Sequence, residues 1–294
     1  MIKTILKNFT MNFFYINIQC QLMVQFFEQI ERMIINVDIF LLIGIVLGLV
    51  SVIVGMIVKG ANVLVLLNPA AAIIIFVGII AAVVNSYPSS DIKKIPKLFV
   101  ILFKNKTYDA PATITQIIEM ANVARREGLL SLEKIVQDLD NPFLKKGLEM
   151  VVDGLPPEQV QEIMENEIIG MEDRHKIGSD IFKTAGTSSP TLGVLGAVIG
   201  LIGALGNLND VEALGHMISA AFVATLYGIF FGYVLFIPFS NRLKLKSEME
   251  VFQMGLIMEG VLAIQSGSSP KAIEKKLYSL LDPKQRQTDS KQKE

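Results

Sequence analysis

The chain has 294 residues, of which 51% are hydrophobic and 19% charged, with a formal net charge of −1. A soluble domain carries about a quarter charged residues, so the composition argues for a membrane protein, and the near-zero net charge removes any global case for nucleic-acid binding. A lone cysteine, Cys20, excludes an intrachain disulfide and a cysteine-based metal centre, and the lack of Trp leaves Tyr87, Tyr227, Tyr233 and the basic residues as interfacial anchors.

Residues 1–32 form an atypical N-terminal extension that mixes Asn, Gln and Lys into an apolar run, MIKTILKNFTMNFFYINIQCQ. It has neither the continuous apolar core nor the small-residue cleavage site of a secretory signal. Three readings stay open: a short amphipathic helix, a disordered tail, or an upstream start, with Met33 as the alternative first residue. From there the chain holds four long apolar stretches, at about 39–58, 69–85, 188–207 and 214–239. A helix rising 1.5 Å per residue needs about 20 residues to cross the hydrocarbon. The second stretch is slightly short, which places Leu64–Leu67 at an interface. Pro190 is expected in the first turn of the third stretch, where its missing N–H costs little, and Pro238 near the end of the fourth, where it kinks the exit.

None of the four stretches holds an Asp, Glu, Lys or Arg, and the single histidine, His216, stands at the start of the fourth. A charge deep in a bilayer is expensive and marks an ion path. If this chain moves ions, another chain must bring the carboxylate.

Charge gathers between about 90 and 185 and again after 240, the pattern of a membrane protein with one soluble insertion. Lys93, Lys94 and Lys97 follow the second stretch, Arg174, Lys176 and Lys183 precede the third, and Arg242, Lys244 and Lys246 follow the fourth. The opposite side offers Lys59, Asp210 and Glu212. The positive-inside rule then puts both termini and the 86–187 insertion in the cytoplasm. The insertion reads as helical: ITQIIEMANVARREG after Asp109-Ala110-Pro111, SLEKIVQDL started by Ser131 and Glu133, NPFLKKGLEMVVDG from Asn141-Pro142 to Gly154, and a charged helix from Pro156-Pro157 running toward the membrane. The tail after Pro283 is polar and reads as disordered. The expected fold class is all-α: four transmembrane helices with a helical cytoplasmic domain between the second and third. The divisions are 1–32, 33–85, 86–187, 188–240 and 241–294.

Three clusters are candidates for function. Gly193, Gly196, Gly200 and Gly203 share one face of the third stretch, where small residues let backbones approach closely in lipid; that face serves either packing within the chain or a tight ring around a partner. Thr225 is the hydroxyl near the middle of the fourth stretch, bonding back to its own helix or lining a polar path. Arg125 and Arg126 end one helix and Glu133 opens the next across Gly128, so helix-end electrostatics account for them, with a charged partner surface as the alternative. His175 and His216 are isolated and weak as metal ligands. There is no P-loop, Gly-x-Ser-x-Gly or Cys-x-x-Cys motif, so nothing supports an ATPase, a hydrolase or a bound cofactor.

Taken in order, VDIFLLIGIVLGLVSVIVGMIVKG, LLNPAAAIIIFVGIIAAVVNSYP, ARREGLLSLE, SSPTLGVLGAVIGLIGALG and ATLYGIFFGYVLFIPFSNRLKLK resemble the MotA family of flagellar stator subunits over about residues 33–280. The resemblance implies a pentamer of this chain around a dimer of MotB in the cytoplasmic membrane. MotB would supply the ion-binding Asp, and the cytoplasmic domain would push on the rotor protein FliG. It implies rotor contacts at Arg125 and Glu133, with Arg126 as the neighbouring ambiguity, and coupling roles for Pro190, Pro238 and Thr225. Sodium-driven members resemble this chain but place a Thr seven residues after the first proline. Ala197 stands there, which favours protons over sodium. Two other classes are weighed against this one. A TolQ/ExbB-like energiser of an envelope complex generally has three spans rather than four. An autonomous channel or transporter needs a charged or broken helix at mid-membrane.

Overall fold

The computed structural model describes residues 38–105 and 108–283. The readings made for residues 1–32, for Met33 as a start and for the tail beyond Pro283 lie outside the described residues. The regular structure is helical: α1 (Ile39–Val58), α2 (Pro69–Ser86), α3 (Ser89–Ile92), α4 (Ile95–Phe103), α5 (Ala110–Glu127), α6 (Glu133–Gln137), α7 (Pro142–Val152), α8 (Pro157–Leu205), α9 (Val211–Ile229), α10 (Ile237–Gln265) and α11 (Pro270–Leu280). A 3₁₀ turn, Val63–Leu66, precedes α2, and a π-helical segment, Phe230–Phe236, joins α9 to α10. Among the described residues, four stretches are long and apolar enough to cross a membrane: α1, the 3₁₀ turn with α2, part of α8, and part of the α9–α10 run.

The chain divides into two compact units. The first contains α1 and α4. Asp38 caps α1 by accepting from the amide of Leu41 at 3.3 Å, and Gly60, at φ 71°, lets the chain turn away after its last turn. α1 buries none of its own side chains, and Phe40 and Val58 are among its most exposed. In lipid, an apolar helix surface needs no protein partner to satisfy it.

The second unit holds the remaining helices. Its membrane part packs α2, α8 and α9 together. α2 turns Ala71, Ile75, Ile79 and Val83 inward, a stripe at i, i+4, i+8 and i+12. Phe76 meets Phe231 edge-to-face with centroids 4.7 Å apart, and Tyr227 meets the same ring at 5.8 Å. The polar part has one continuous core, in which Ile114, Ile117, Leu144, Leu148, Val261 and Leu277 have no accessible surface. Those residues come from α5, α7, α10 and α11, so the C-terminal helices close the same core as the 86–187 insertion. Two glutamines, Gln253 buried and Gln265 half-buried, tie the pieces further: Gln253 donates to the Thr113 hydroxyl and Gln265 to the Leu155 carbonyl, both at 2.6 Å.

The local signals in the insertion act as sequence rules require. Asp109 accepts from the amide of Ala112, and Asn141 from those of Phe143 and Leu144. Gly128 ends α5 at φ 86°, a value that L residues rarely adopt. Ser131 departs from its expected role. It lies in a 3₁₀ turn, Leu129–Leu132, and its hydroxyl donates to the Gly128 carbonyl at 2.6 Å, so α6 begins at Glu133 without a side-chain cap.

Pro190 also departs from expectation. α8 runs for 49 residues without interruption, and Pro190 sits in its interior, not in a first turn. The charged helix from Pro157 and the third apolar stretch are therefore one rod. The hydrogen-bond ladder on either side of the proline carries it through, which neighbouring helices in a membrane protein allow.

Candidate functional site

α8 and α9 meet backbone to backbone because glycines line both sides of the seam. A methyl at Gly193 would stand 3.1 Å from the Ala224 carbonyl, and one at Gly228 would stand 2.6 Å from the Ser189 carbonyl and 2.9 Å from the Gly193 Cα. Gly196 and Gly200 press against the methyls of Ala224 and Ala221, and Gly203 faces the Met217 sulfur at 3.5 Å. The glycine face of α8 is thus occupied within the chain, by α9. Contact this close maximises dispersion where no hydrophobic force acts between helices.

The two prolines are set at the lower end of this seam. Pro190 has no N–H for the Gly186 carbonyl. Opposite that carbonyl lies Gly232 of the π segment, where a methyl would stand 2.8 Å from Gly186 O and 3.1 Å from the Pro190 Cδ. Gly186 in turn accommodates Ile237, whose backbone nitrogen would be 3.1 Å from a methyl at that glycine. Pro238 follows at once and has no N–H for the Val234 carbonyl. The wide turn ahead of it is π-helical, with the Ile237 amide reaching the Gly232 carbonyl five residues back. One extra residue per turn makes room for a ring that an α-helical ladder would reject. Each helix therefore carries its irregular turn against that of the other. The sequence shows both prolines but gives no sign of the π segment.

Thr225 sits on α9 against this seam, half-buried. Its hydroxyl is 3.3 Å from the Ala221 carbonyl of its own helix and 3.4 Å from the Gly193 carbonyl of α8. Ala197 is half-buried one turn beyond Gly193 on α8. Ser189, beside Pro190, is fully buried, and its hydroxyl has no hydrogen-bond partner. Sequence reasoning passed over it because a serine next to a proline reads as a helix start.

Arg125, Arg126 and Glu133 lie at the far end of the polar domain. All three side chains are exposed, and among the described residues none forms an ion pair. Gly128 and the exposed Leu130 lie between them. Arg125 also borders a shallow pocket of about 160 Å³ with Gly128, Gln265 and Ser268. This bend offers both signs of charge to solvent without using them internally.

His175 and His216 are far apart in sequence and play no joint part. The Nδ1 of His175 is 3.1 Å from the Ser247 hydroxyl, and His216 is exposed. No group of three or more His, Cys, Asp or Glu residues is placed to hold a metal ion among the described residues.

Comparison with known proteins places this architecture. Residues 42–128 match the motility protein A N-terminal family, and residues 135–255 match the MotA/TolQ/ExbB proton channel family. Motility protein A of Bacillus subtilis is 53% identical over 246 residues, covering 83% of this chain and 91% of that protein. Among solved structures, the flagellar MotAB stator complex from Bacillus subtilis matches with a TM-score of 0.79 at 52% identity, covering 84% of this chain and 97% of the matched one. The C. jejuni MotAB structure matches with a TM-score of 0.80 at 34% identity, covering 84% and 96%. With a relative this similar over nearly its whole length, and the same helices in the same order, the chain belongs to the motility protein A (MotA) family.

Proposed function

We propose that this chain is a stator subunit of the bacterial flagellar motor. It is a multi-pass membrane protein that assembles with copies of itself around a MotB-like partner, and ion flow through the assembly drives the rotor. One observation carries the reading: four apolar stretches without an Asp, Glu, Lys or Arg, in a chain of the MotA family. A proton cannot be held at mid-membrane by these side chains, so the carboxylate comes from the partner's helix. The TolQ/ExbB-like alternative is not favoured, because the match to the motility protein A N-terminal family covers α1 and α2.

The finer assignments belong to the same proposal. The ring is a pentamer in the cytoplasmic membrane, with both termini and residues 86–187 on the cytoplasmic side, where the lysines and arginines gather. Thr225, Pro190, Pro238 and Ala197 border the ion path, and their support is the seam of irregular turns just described. Such turns hold backbone carbonyls outside the regular ladder, and two opposed ones form a natural place for a small rotation. Arg125 and Glu133 meet complementary charges on FliG. The coupling ion is the proton, since the Ala197 side chain offers no oxygen to a sodium ion, which needs several.

The test is a deletion strain of the source organism. Swimming should stop while filaments and rotor remain, and this chain together with its partner should restore it. Normal swimming with a defect confined to envelope-energised uptake would replace the stator reading by the TolQ/ExbB-like one.

A further inference from the structure

The short helix α4 is not accounted for by the stator reading. Its sequence, IPKLFVILF, is apolar except for Lys97. In water such a helix would bury its length, yet only Leu102 is fully buried, while Val100 is 65% exposed and Phe99 and Ile101 are each more than a third exposed. Its position resolves the conflict. The amide of Asp38 donates to the Phe103 carbonyl at 2.8 Å, and Asp38 is the capping residue of the first membrane span. The end of α4 is thus fixed where the hydrocarbon begins. At 1.5 Å per residue the whole helix extends about 14 Å from that point.

On α4 and its first following residue, Lys97, Val100 and Lys104 recur at i, i+3 and i+7, so they share one face. A row of lysine, exposed valine and lysine at a membrane edge matches the two layers it meets. The apolar side chain enters the acyl boundary, and the lysine stems lie along it with their ammonium groups among the headgroups. The sign of the charge selects which headgroups. Between Asp91 and Asp109 the chain has five lysines and no acidic residue, and with Lys94 paired to Asp91 at 2.7 Å the balance along α4 itself is still positive. Each lysine close to an anionic membrane surface raises the local affinity about fivefold. We propose that the Lys97–Val100–Lys104 face of α4 is a lipid contact that selects anionic headgroups and anchors this end of the first span to them. The contact stands independently of the stator reading.

The test uses the full chain purified with its partner, with Cys20→Ser and a fluorophore on Val100→Cys. It is reconstituted in phosphatidylcholine vesicles containing phosphatidylglycerol at about 20 mol%, a content that gives a negative surface potential. A nitroxide is carried near the top of the acyl chain, in one arm on phosphatidylglycerol and in the other on phosphatidylcholine. Labelled phosphatidylglycerol should quench several-fold more strongly than labelled phosphatidylcholine at equal mole fraction. That preference should shrink in about 0.5 M salt, where charges are screened within a few ångströms. It should vanish in Lys97→Glu/Lys104→Glu while quenching by phosphatidylcholine persists. Equal quenching by the two lipids without those changes would overturn the proposal, leaving a membrane contact with no selection. Absence of quenching by either would overturn it too, since protein would then cover the face. The comparison of lipids decides the matter even if the double variant fails to assemble.

Discussion

A methyl group at Gly228 would meet the Ser189 carbonyl at 2.6 Å and the Gly193 backbone at 2.9 Å. Both obstacles are backbone, so neither can swing aside. Overpacking of this kind costs about 1–3 kcal/mol. Gly228→Ala should therefore lower the thermal midpoint of the purified protein and its level in the membrane. Gly255→Ala is the control: it also replaces a glycine within a helix, but nothing lies within 4 Å of the added carbon. That change should be neutral or stabilising by up to about 1 kcal/mol, the helix-propensity gain. Equal losses in the two variants, in the same thermal scan, would mean that the seam does not constrain Gly228. The charged bend calls for the opposite design. Arg125 and Glu133 are exposed and form no ion pair among the described residues, so Arg125→Glu and Glu133→Lys should change stability by no more than about 0.5 kcal/mol. Torque should fall nonetheless, most in the double reversal, because each exposed pair contributes only about 1 kcal/mol or less. Reversing charges on FliG should recover part of it. Unchanged swimming in the double reversal would return both residues to simple helix-end electrostatics.

At the scale of elements, Pro190 and the π segment carry the argument. Replacing Pro190 by Ala returns an N–H to the Gly186 carbonyl and removes the ring that would stand 3.1 Å from a methyl at Gly232. An intact ladder is stiffer, so Pro190→Ala should keep membrane level and thermal midpoint equal or higher while motor rotation slows or stops. A fall in stability with rotation preserved would count against a coupling role for this turn. Here the sequence was only partly legible. Asp109, Asn141 and Gly128 announce helix ends, because capping and positive φ are local chemistry that a few residues decide. Pro190 misleads for the same reason. A local rule places proline in a first turn, whereas α8 continues through it because α9 and the π segment pack against the break. The π segment has no local signal, since its extra residue per turn answers to Pro238 downstream and Gly186 across the seam.

At the scale of the whole molecule, the helical class and the four spans follow from hydropathy alone, while the makeup of the polar domain does not. Leu256, Ile257 and Val261 on α10 join Ile114 and Leu144 in one core, though more than a hundred residues separate them from either. No periodicity reveals which amphipathic helices share a core; only the closure of the chain decides it. Legibility is greatest in what the spans lack. Without a titratable group at mid-membrane, the chain reconstituted alone should pass no measurable proton or sodium current, and current should appear only with the partner and its Asp. Robust flux through the chain by itself would defeat the stator reading at its root. In the proposed ion path, the ion is set by the oxygens near that Asp, and the Ala197 side chain contributes none. Swimming speed should then be the same in sodium and potassium buffers at matched pH and collapse with a protonophore. Speed that scales with sodium and survives the protonophore would place a sodium site on Thr225 or on partner oxygens. Ala197→Thr supplies the missing hydroxyl at a half-buried position. One ligand of the several that a hard cation requires rarely creates selectivity, so this variant should swim more slowly on protons and gain no dependence on sodium.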